Sequence, residues 1–248
     1  MDYPIWSELG AIESLWIRSD KGVPPLAVDE CHAVAGEGLV GDCHVSRLSP
    51  RQVLLVSDDA YRMHQLEPAL LRENITVAGD LRSLSSGTIV ALGRNVLLRI
   101  TFACEPCAKL NTHRAGLMRS VGDDRGVLAR VVAGGVLRIG DRIRISPGVL
   151  EGWSDRWQER VQKIARSVPI GRIVRNTRLA VLAGVPPAYC RVFPRVLSEL
   201  PDRVAERVVR TQDSVVAIEW TGEELFKDED AALDAFVPTQ KRWAQHVG

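Results

Sequence analysis

Cys104-Glu-Pro-Cys107 is the segment of this chain best suited to chemistry. Two thiols three positions apart admit four readings. A structural zinc site would need a second ligand pair, for which Cys31-His32 and Cys43-His44 are candidates, although their spacing matches no zinc finger or ribbon. A dithiol redox pair would need a helix directly after it inside a β-α-β unit, and none is predicted. Buried inert thiols would pack as small apolar side chains. The last reading is a thiolate ligand to a soft or high-valent metal, because sulfur donates charge to such a centre. On that last reading Cys104 and Cys107 are the candidate catalytic residues.

The elements that must position these thiols read as strands. Short apolar or β-branched runs recur at 52–56, 88–92, 96–101, 127–132 and 142–145, with Gly87, Gly93, Gly134-Gly135 and Gly140 between them. Gly140-Asp141 is a hairpin-type turn signal. One helix is expected over 58–71. The fold class is mixed: an N-terminal β-barrel with small helices over 1–147, then a helical domain over 148–248, divided near Ser146-Pro147-Gly148. Beyond the division Trp153, Trp157, Val161 and Ile164 form the apolar stripe of an amphipathic helix that Ser154 would cap. Helices over 175–183 and from about Pro187, with Gly184 between them, have helix-turn-helix spacing.

Charge is informative only locally. The chain has 248 residues, 46% hydrophobic and 25% charged, with a formal net charge of +1. These values exclude a disordered or fibrous chain and carry no global sign of a nucleic-acid or membrane partner. Residues 153–212 nevertheless hold an excess of seven basic residues, nearly all arginine, and 213–248 an acidic excess of five. An acidic tail would then shield a basic module. No apolar run has membrane length, the N-terminus lacks a signal-peptide pattern, and five cysteines without an export signal point to the cytoplasm.

About residues 10–145 resemble the MOSC family, named for the C-terminal domain of molybdenum-cofactor sulfurases. Gly38-Leu-Val-Gly-Asp42 with His44 resembles the family's G-L-x-G-D-x-H segment, and Arg51-Gln-Val-Leu-Leu55 its R-Q-V-x-L strand. Leu71-Arg-Glu-Asn-Ile75, Cys104-x-x-Cys107, Gly126-Val-Leu-Ala-Arg130 and Gly134-Gly-Val-x-x-x-Gly-Asp141 follow in the family's order. The resemblance implies a β-barrel whose groove holds the molybdenum cofactor (molybdopterin), with Cys107 on the metal or carrying sulfur. Asp42, His44, Arg51, Arg72, Asn74 and Lys109 would be the cofactor-binding residues. As single residues they also have plain readings: Asp42 in a turn, Asn74 as a turn cap, Arg51 in a surface ion pair.

Residues 157–213 resemble alkyltransferase-like proteins, relatives of O6-alkylguanine-DNA alkyltransferase, through Val168-Pro-Ile-Gly-Arg172, Leu179-Ala-Val-Leu-Ala-Gly184, Arg191–Pro201 and Arg207-Val-Val-Arg-Thr-Gln212. This implies a winged-helix module that flips a modified guanine from double-stranded DNA. Arg191 would fill the vacated stack, and Arg172, Arg175, Arg178 and Arg195 would meet DNA. Ala205 stands where that family's nucleophilic cysteine would be, which excludes alkyl transfer, and Asn176 replaces its phosphate-contacting tyrosine. Pro194 should kink or end the recognition helix. Three functions follow as expectations. One is a molybdenum-cofactor reductase or sulfur- or oxygen-transfer enzyme for N-oxygenated substrates, served by a redox partner. The others are a cofactor or sulfur carrier and a DNA-lesion-binding protein.

Overall fold

The computed structural model describes residues 6–146, 150–214 and 216–229. They divide into two compact units, one of 6–47, 51–152 and 227–229, the other of 48–50 and 153–226. The expected boundary at 147–148 and most of the acidic tail lie outside the described residues.

The first unit is a closed barrel. Its strands are β1 (Ser7–Ile17), β2 (Leu26–Val28), β3 (Glu30–Val34), β4 (Gly38–Leu39), β5 (Val53–Ser57), β6 (Ile75–Ala78), β7 (Ile89–Leu92), β8 (Val96–Ala103), β9 (Val127–Ala133), β10 (Gly135–Arg138) and β11 (Arg142–Ser146). Seven of them pair in the order β11-β7-β8-β9-β5-β6-β1, and β1 closes the ring on β11. β2 adds to β1, and β3, β4 and β10 form a small separate sheet. Ile12, Leu15, Leu55, Val77, Val90, Leu98 and Val131 fill the inside. β7 reads as a continuous apolar run because both its faces are covered. Val90 and Leu92 face the interior cluster, while Ile89 and Ala91 join Leu97 and Val132 in a second cluster against Trp6 and Leu150.

Five strands predicted from apolar runs are present with small shifts at their ends. The first helix, α1 (Asp58–His64), is shorter than the expected 58–71, and a short α2 (Leu117–Val121) lies between β8 and β9. Ser57 caps its start, and Gln65 ends it in the left-handed conformation (φ 50°). β1 and β6 were not predicted. β6 is only four residues long, and its apolar alternation is too brief to register.

A buried charge cluster secures the barrel's outer wall. Arg99 on β8 and Arg130 on β9 stand directly opposite each other and are both buried. Glu229 pairs with Arg130 Nε at 2.9 Å and with Arg99 Nη1 at 3.3 Å. Asp228 also takes Arg99 Nη1, and the Glu151 carbonyl takes Nη2. Asp228 and Glu229 of the acidic segment therefore neutralise barrel arginines, while Glu219 of the same segment pairs with Arg175 of the helical unit.

The second unit contains α3 (Trp157–Ser167), β12 (Arg172–Arg175), α4 (Asn176–Leu182), a 3-10 turn (Pro187–Val192), α5 (Phe193–Leu197), α6 (Asp202–Ala205), β13 (Val208–Val209) and β14 (Ile218–Glu219). Val161, Ile164, Leu179, Leu182 and Phe193 form its core. Three expectations need correction. Trp153 lies before α3, stacked on Phe226 at 5.8 Å, and Arg156 occupies the cap position. Ser154 still accepts the Arg156 N–H and donates to Glu159. Arg172–Arg175, expected partly as helix, forms the central strand of a three-stranded sheet. Both of its pairings are parallel, so this sheet is no antiparallel wing hairpin. Pro194 sits in the first turn of the five-residue α5, where a missing N–H costs no helical bond.

Candidate functional site

In the barrel unit the lower ends of several strands frame a small cavity of about 60 Å³. It is lined by Arg18, His44, Arg51, Val53, Leu54, Arg72, Asn74, Cys104, Arg125 and Leu128. The chain brings them together in order. Arg18 follows β1, His44 lies in the loop before β5, and Arg51 leads into β5. Arg72 and Asn74 precede β6, Cys104 follows β8, and Arg125 precedes β9.

Gly126 makes the junction of Cys104 and Arg125 possible. Its φ is +91°, and a Cβ there would overlap the Leu55 carbonyl oxygen. Its own carbonyl accepts the Cys104 N–H at 2.8 Å. Glycine at this point lets β9 approach β5 closely and turns Arg125 toward the cavity. Arg72 is itself left-handed, with φ 56°. Such a backbone in a non-glycine residue costs free energy and concentrates at functional sites.

The cavity's electrostatics are one-sided. Four arginines and no carboxylate line it. Arg125 is only 7% exposed, and its Nε and Nη1 are without a hydrogen-bond partner. A buried guanidinium with unmade hydrogen bonds is costly. That cost is removed when an anion enters and accepts both N–H groups.

Asp42 and Asn74 scaffold this arrangement. Asp42 Oδ1 accepts from His44 N at 2.9 Å and His44 Nδ1 at 2.8 Å. Its Oδ2 accepts from Arg18 N at 3.0 Å and Asn74 Nδ2 at 2.9 Å. Burial pushes the Asp42 carboxyl up, but the His44 and Arg18 hydrogen bonds outweigh it and hold the group below the usual carboxylate range. Asn74 also accepts the Leu54 N–H at 3.0 Å, which ties β5 to β6. Asp42, Cys43 and His44 bring three potential metal-ligand atoms within 4.8 Å of one another. They make a poor cation site, because all four Asp42 acceptor positions are in use and Arg18 Nη2 stands 3.3 Å from His44 Nε2.

The thiols divide. Cys104 is buried in the cavity wall, whereas Cys107 is exposed and caps the 3-10 turn Ala108–Thr112. Lys109 is exposed on that turn and is not a lining residue. Of the sequence-derived candidates, His44, Arg51, Arg72, Asn74 and Cys104 meet in the cavity wall. Asp42 stands behind them, and Cys107 and Lys109 stand outside. Arg18 and Arg125 were missed. Each lies beyond the end of a strand pattern, and only the closed sheet brings them together.

In the helical unit a larger cavity of about 560 Å³ is lined by Asn176, Cys190, Arg191, Phe193, Pro194, Leu197, Ala205, Arg210 and neighbouring residues. Asn176, Arg191 and Ala205 therefore converge. Arg172, Arg178 and Arg195 are not lining residues, and Arg172 and Arg195 are exposed. Arg175 is engaged internally, with Nε on Glu219 at 2.6 Å and Nη1 on the carbonyls of Arg210, Thr211 and Asp213. It acts as a brace for the small sheet.

Residues 42–144 match the MOSC domain. The matched stretch begins at Asp42 and contains every cavity residue except Arg18. The YuaD protein of Bacillus subtilis is similar in structure over 57% of this chain and 98% of its own, with a TM-score of 0.50 and 20% identity, which supports the fold. YiiM of Escherichia coli aligns over 77% of this chain and 94% of its own, at 20% identity and a TM-score of 0.45. YiiM of Geobacillus stearothermophilus aligns over 78% and 100%, at 13% identity and 0.45. No curated protein matches the chain. The seven-stranded barrel fits a MOSC fold, with β1 outside the matched stretch. Among the described residues no helix is long and apolar enough to cross a membrane.

Proposed function

We propose that the MOSC domain of this chain binds the molybdenum cofactor, with the arginine-lined cavity receiving its phosphate and Cys107 supplying the thiolate. The observation that carries this reading is Arg125, buried with two unmade N–H bonds beside three other arginines. At about 60 Å³ the cavity is far smaller than the roughly 300–1,000 Å³ of pockets that enclose whole drug-sized ligands. It suits the anionic end of a larger molecule whose remainder lies outside. Cys107 follows Cys104 by three residues, so the two Cα atoms are at most about 11 Å apart. An exposed thiol within that reach fits a ligand to the far end of the same molecule.

When bound, the cofactor would supply two-electron redox or sulfur-transfer chemistry at its metal. Arg18, Arg51, Arg72 and Arg125 would orient it by its phosphate, and Asp42 and Asn74 would hold Arg18 and the β5–β6 junction in place. Resemblance to the MOSC family makes reduction of N-oxygenated compounds, served by a redox partner, the favoured activity. A carrier of cofactor or sulfur would use the same residues. The test is molybdenum content after expression in a molybdopterin-competent host. Cys107→Ser should abolish retention, Arg125→Gln should reduce it strongly, and Cys104→Ser should weaken it. Equal loss from both cysteine variants would favour a paired-thiol site, and full retention by Cys107→Ser would remove the assignment.

A second reading concerns the helical unit. Its cavity gathers Asn176, Arg191 and Ala205, the positions that alkyltransferase-like proteins use around a flipped base. This convergence supports a lesion-binding module for double-stranded DNA, with Arg172 and Arg195 available to phosphates. An electrophoretic shift with duplex DNA carrying O6-methylguanine tests it. No binding at low salt would leave this unit a structural role.

A further inference from the structure

The MOSC cavity presents cationic N–H donors, a buried thiol and one imidazole, and no acid faces into it. His44 is the imidazole among the lining side chains, a group that can both accept and donate a proton. Its geometry is set from one side. Asp42, ionised and buried, accepts from Nδ1, so the proton of the neutral ring sits on Nδ1 and the lone pair on Nε2. Nε2 then accepts from Arg18 Nη2 at 3.3 Å. Cys43 Sγ lies 3.6 Å from Nδ1, its thiol pushed up by burial, and the charged or titratable groups that share the cavity with His44 are Arg18, Arg51, Arg72, Arg125 and Cys104.

We infer that His44 makes oxyanion binding in this cavity proton-coupled. An incoming phosphate oxygen draws the Arg18 guanidinium onto itself and frees Nε2. Nε2 takes one proton, from solvent or from a monoanionic ligand, and donates it back to the anion as a hydrogen bond. The positive charge gained by the ring lies between the bound anion and the Asp42 carboxylate. Nothing else is transferred: one N–H bond forms, and the proton leaves water or the ligand. The ligand class is a phosphate or phosphate monoester. The inference rests on the proposed anion site and goes further by assigning the proton, because arginines alone would bind the anion with no proton exchange.

The experiment is calorimetry of inorganic phosphate binding at pH 8, where the ligand is mainly the dianion, in buffers of different ionisation enthalpy. Wild-type protein should take up protons as phosphate binds, and its affinity should fall as the pH is raised. His44→Gln keeps an N–H donor and cannot titrate, so its uptake should be near zero and its affinity nearly independent of pH. The His44 ring resonances of the wild type should shift on phosphate addition at constant pH. Binding without proton uptake, or uptake that persists in His44→Gln, overturns the inference and leaves the anion site standing. No phosphate binding at any pH overturns both.

Discussion

The two units carry arginine in different ways. In the barrel, Arg99 and Arg130 are buried against Glu229, and Arg125 is buried with N–H groups unmade. In the helical unit, Arg172, Arg191 and Arg195 are exposed, and Arg175 is bound to Glu219 and three carbonyls. The helical unit has the larger excess of positive charge in the sequence, yet the barrel holds the guanidinium that most needs an anion. Net charge along a chain reports long-range attraction. A specific anion site is reported by desolvated donors that their surroundings leave unmatched.

The largest effect that would test this contrast is expected at Glu229. Glu229→Ala should lower stability by about 3–5 kcal/mol, because it strands the buried Arg130 and leaves Arg99 only the half-exposed Asp228 as a carboxylate partner. Chemical denaturation would measure it, and a loss below about 1 kcal/mol would mean that Arg99 and Arg130 find solvent. A truncation that removes the acidic segment should destabilise the barrel for the same reason. It would therefore be a poor way to expose the helical unit for DNA binding.

Gly126→Ala should cost roughly 1–3 kcal/mol from its left-handed backbone alone, and more from the overlap with Leu55. It should also weaken phosphate binding, since Arg125 and Cys104 flank this glycine's contacts. Retained phosphate affinity in a folded Gly126→Ala protein would detach the cavity from the close approach of β9 to β5.

In the helical unit, Arg175→Ala should cost about 1–2 kcal/mol, the scale of a few partly exposed hydrogen bonds to a charged group. Arg172→Ala should stay within about 0.5 kcal/mol. If duplex DNA binds, Arg172→Ala should reduce the log–log salt slope by about one. Equal stability losses from the two variants would erase the distinction between brace and surface charge.

At the proposed site itself the change in stability should also be small. Arg125→Met should change stability by less than about 1 kcal/mol, because relief of the buried unmade N–H bonds is offset by loss of the attraction to the buried Glu73. Phosphate binding should be lost with it. A clear destabilisation would show that Arg125 serves the fold and would remove the observation on which the anion site stands.

The sequence by itself determined the strand runs at 52–56, 88–92, 96–101, 127–132 and 142–145, since alternating or continuous apolar residues leave a strand few other ways to bury its faces. Glycine and proline likewise marked most ends, because their backbone restrictions act locally. The motif residues His44, Arg51, Arg72, Asn74 and Cys104 were also legible, and the cavity gathers them. The tertiary structure alone decided which thiol is buried and which is exposed. It also turned Asp42 into the anchor of His44 and Arg18, and brought Arg125 within reach of Arg18 although more than a hundred positions separate them. Burial and partnership arise from closing the sheet, and an arginine at a strand end has the same local pattern whether the closed barrel covers it or leaves it in water.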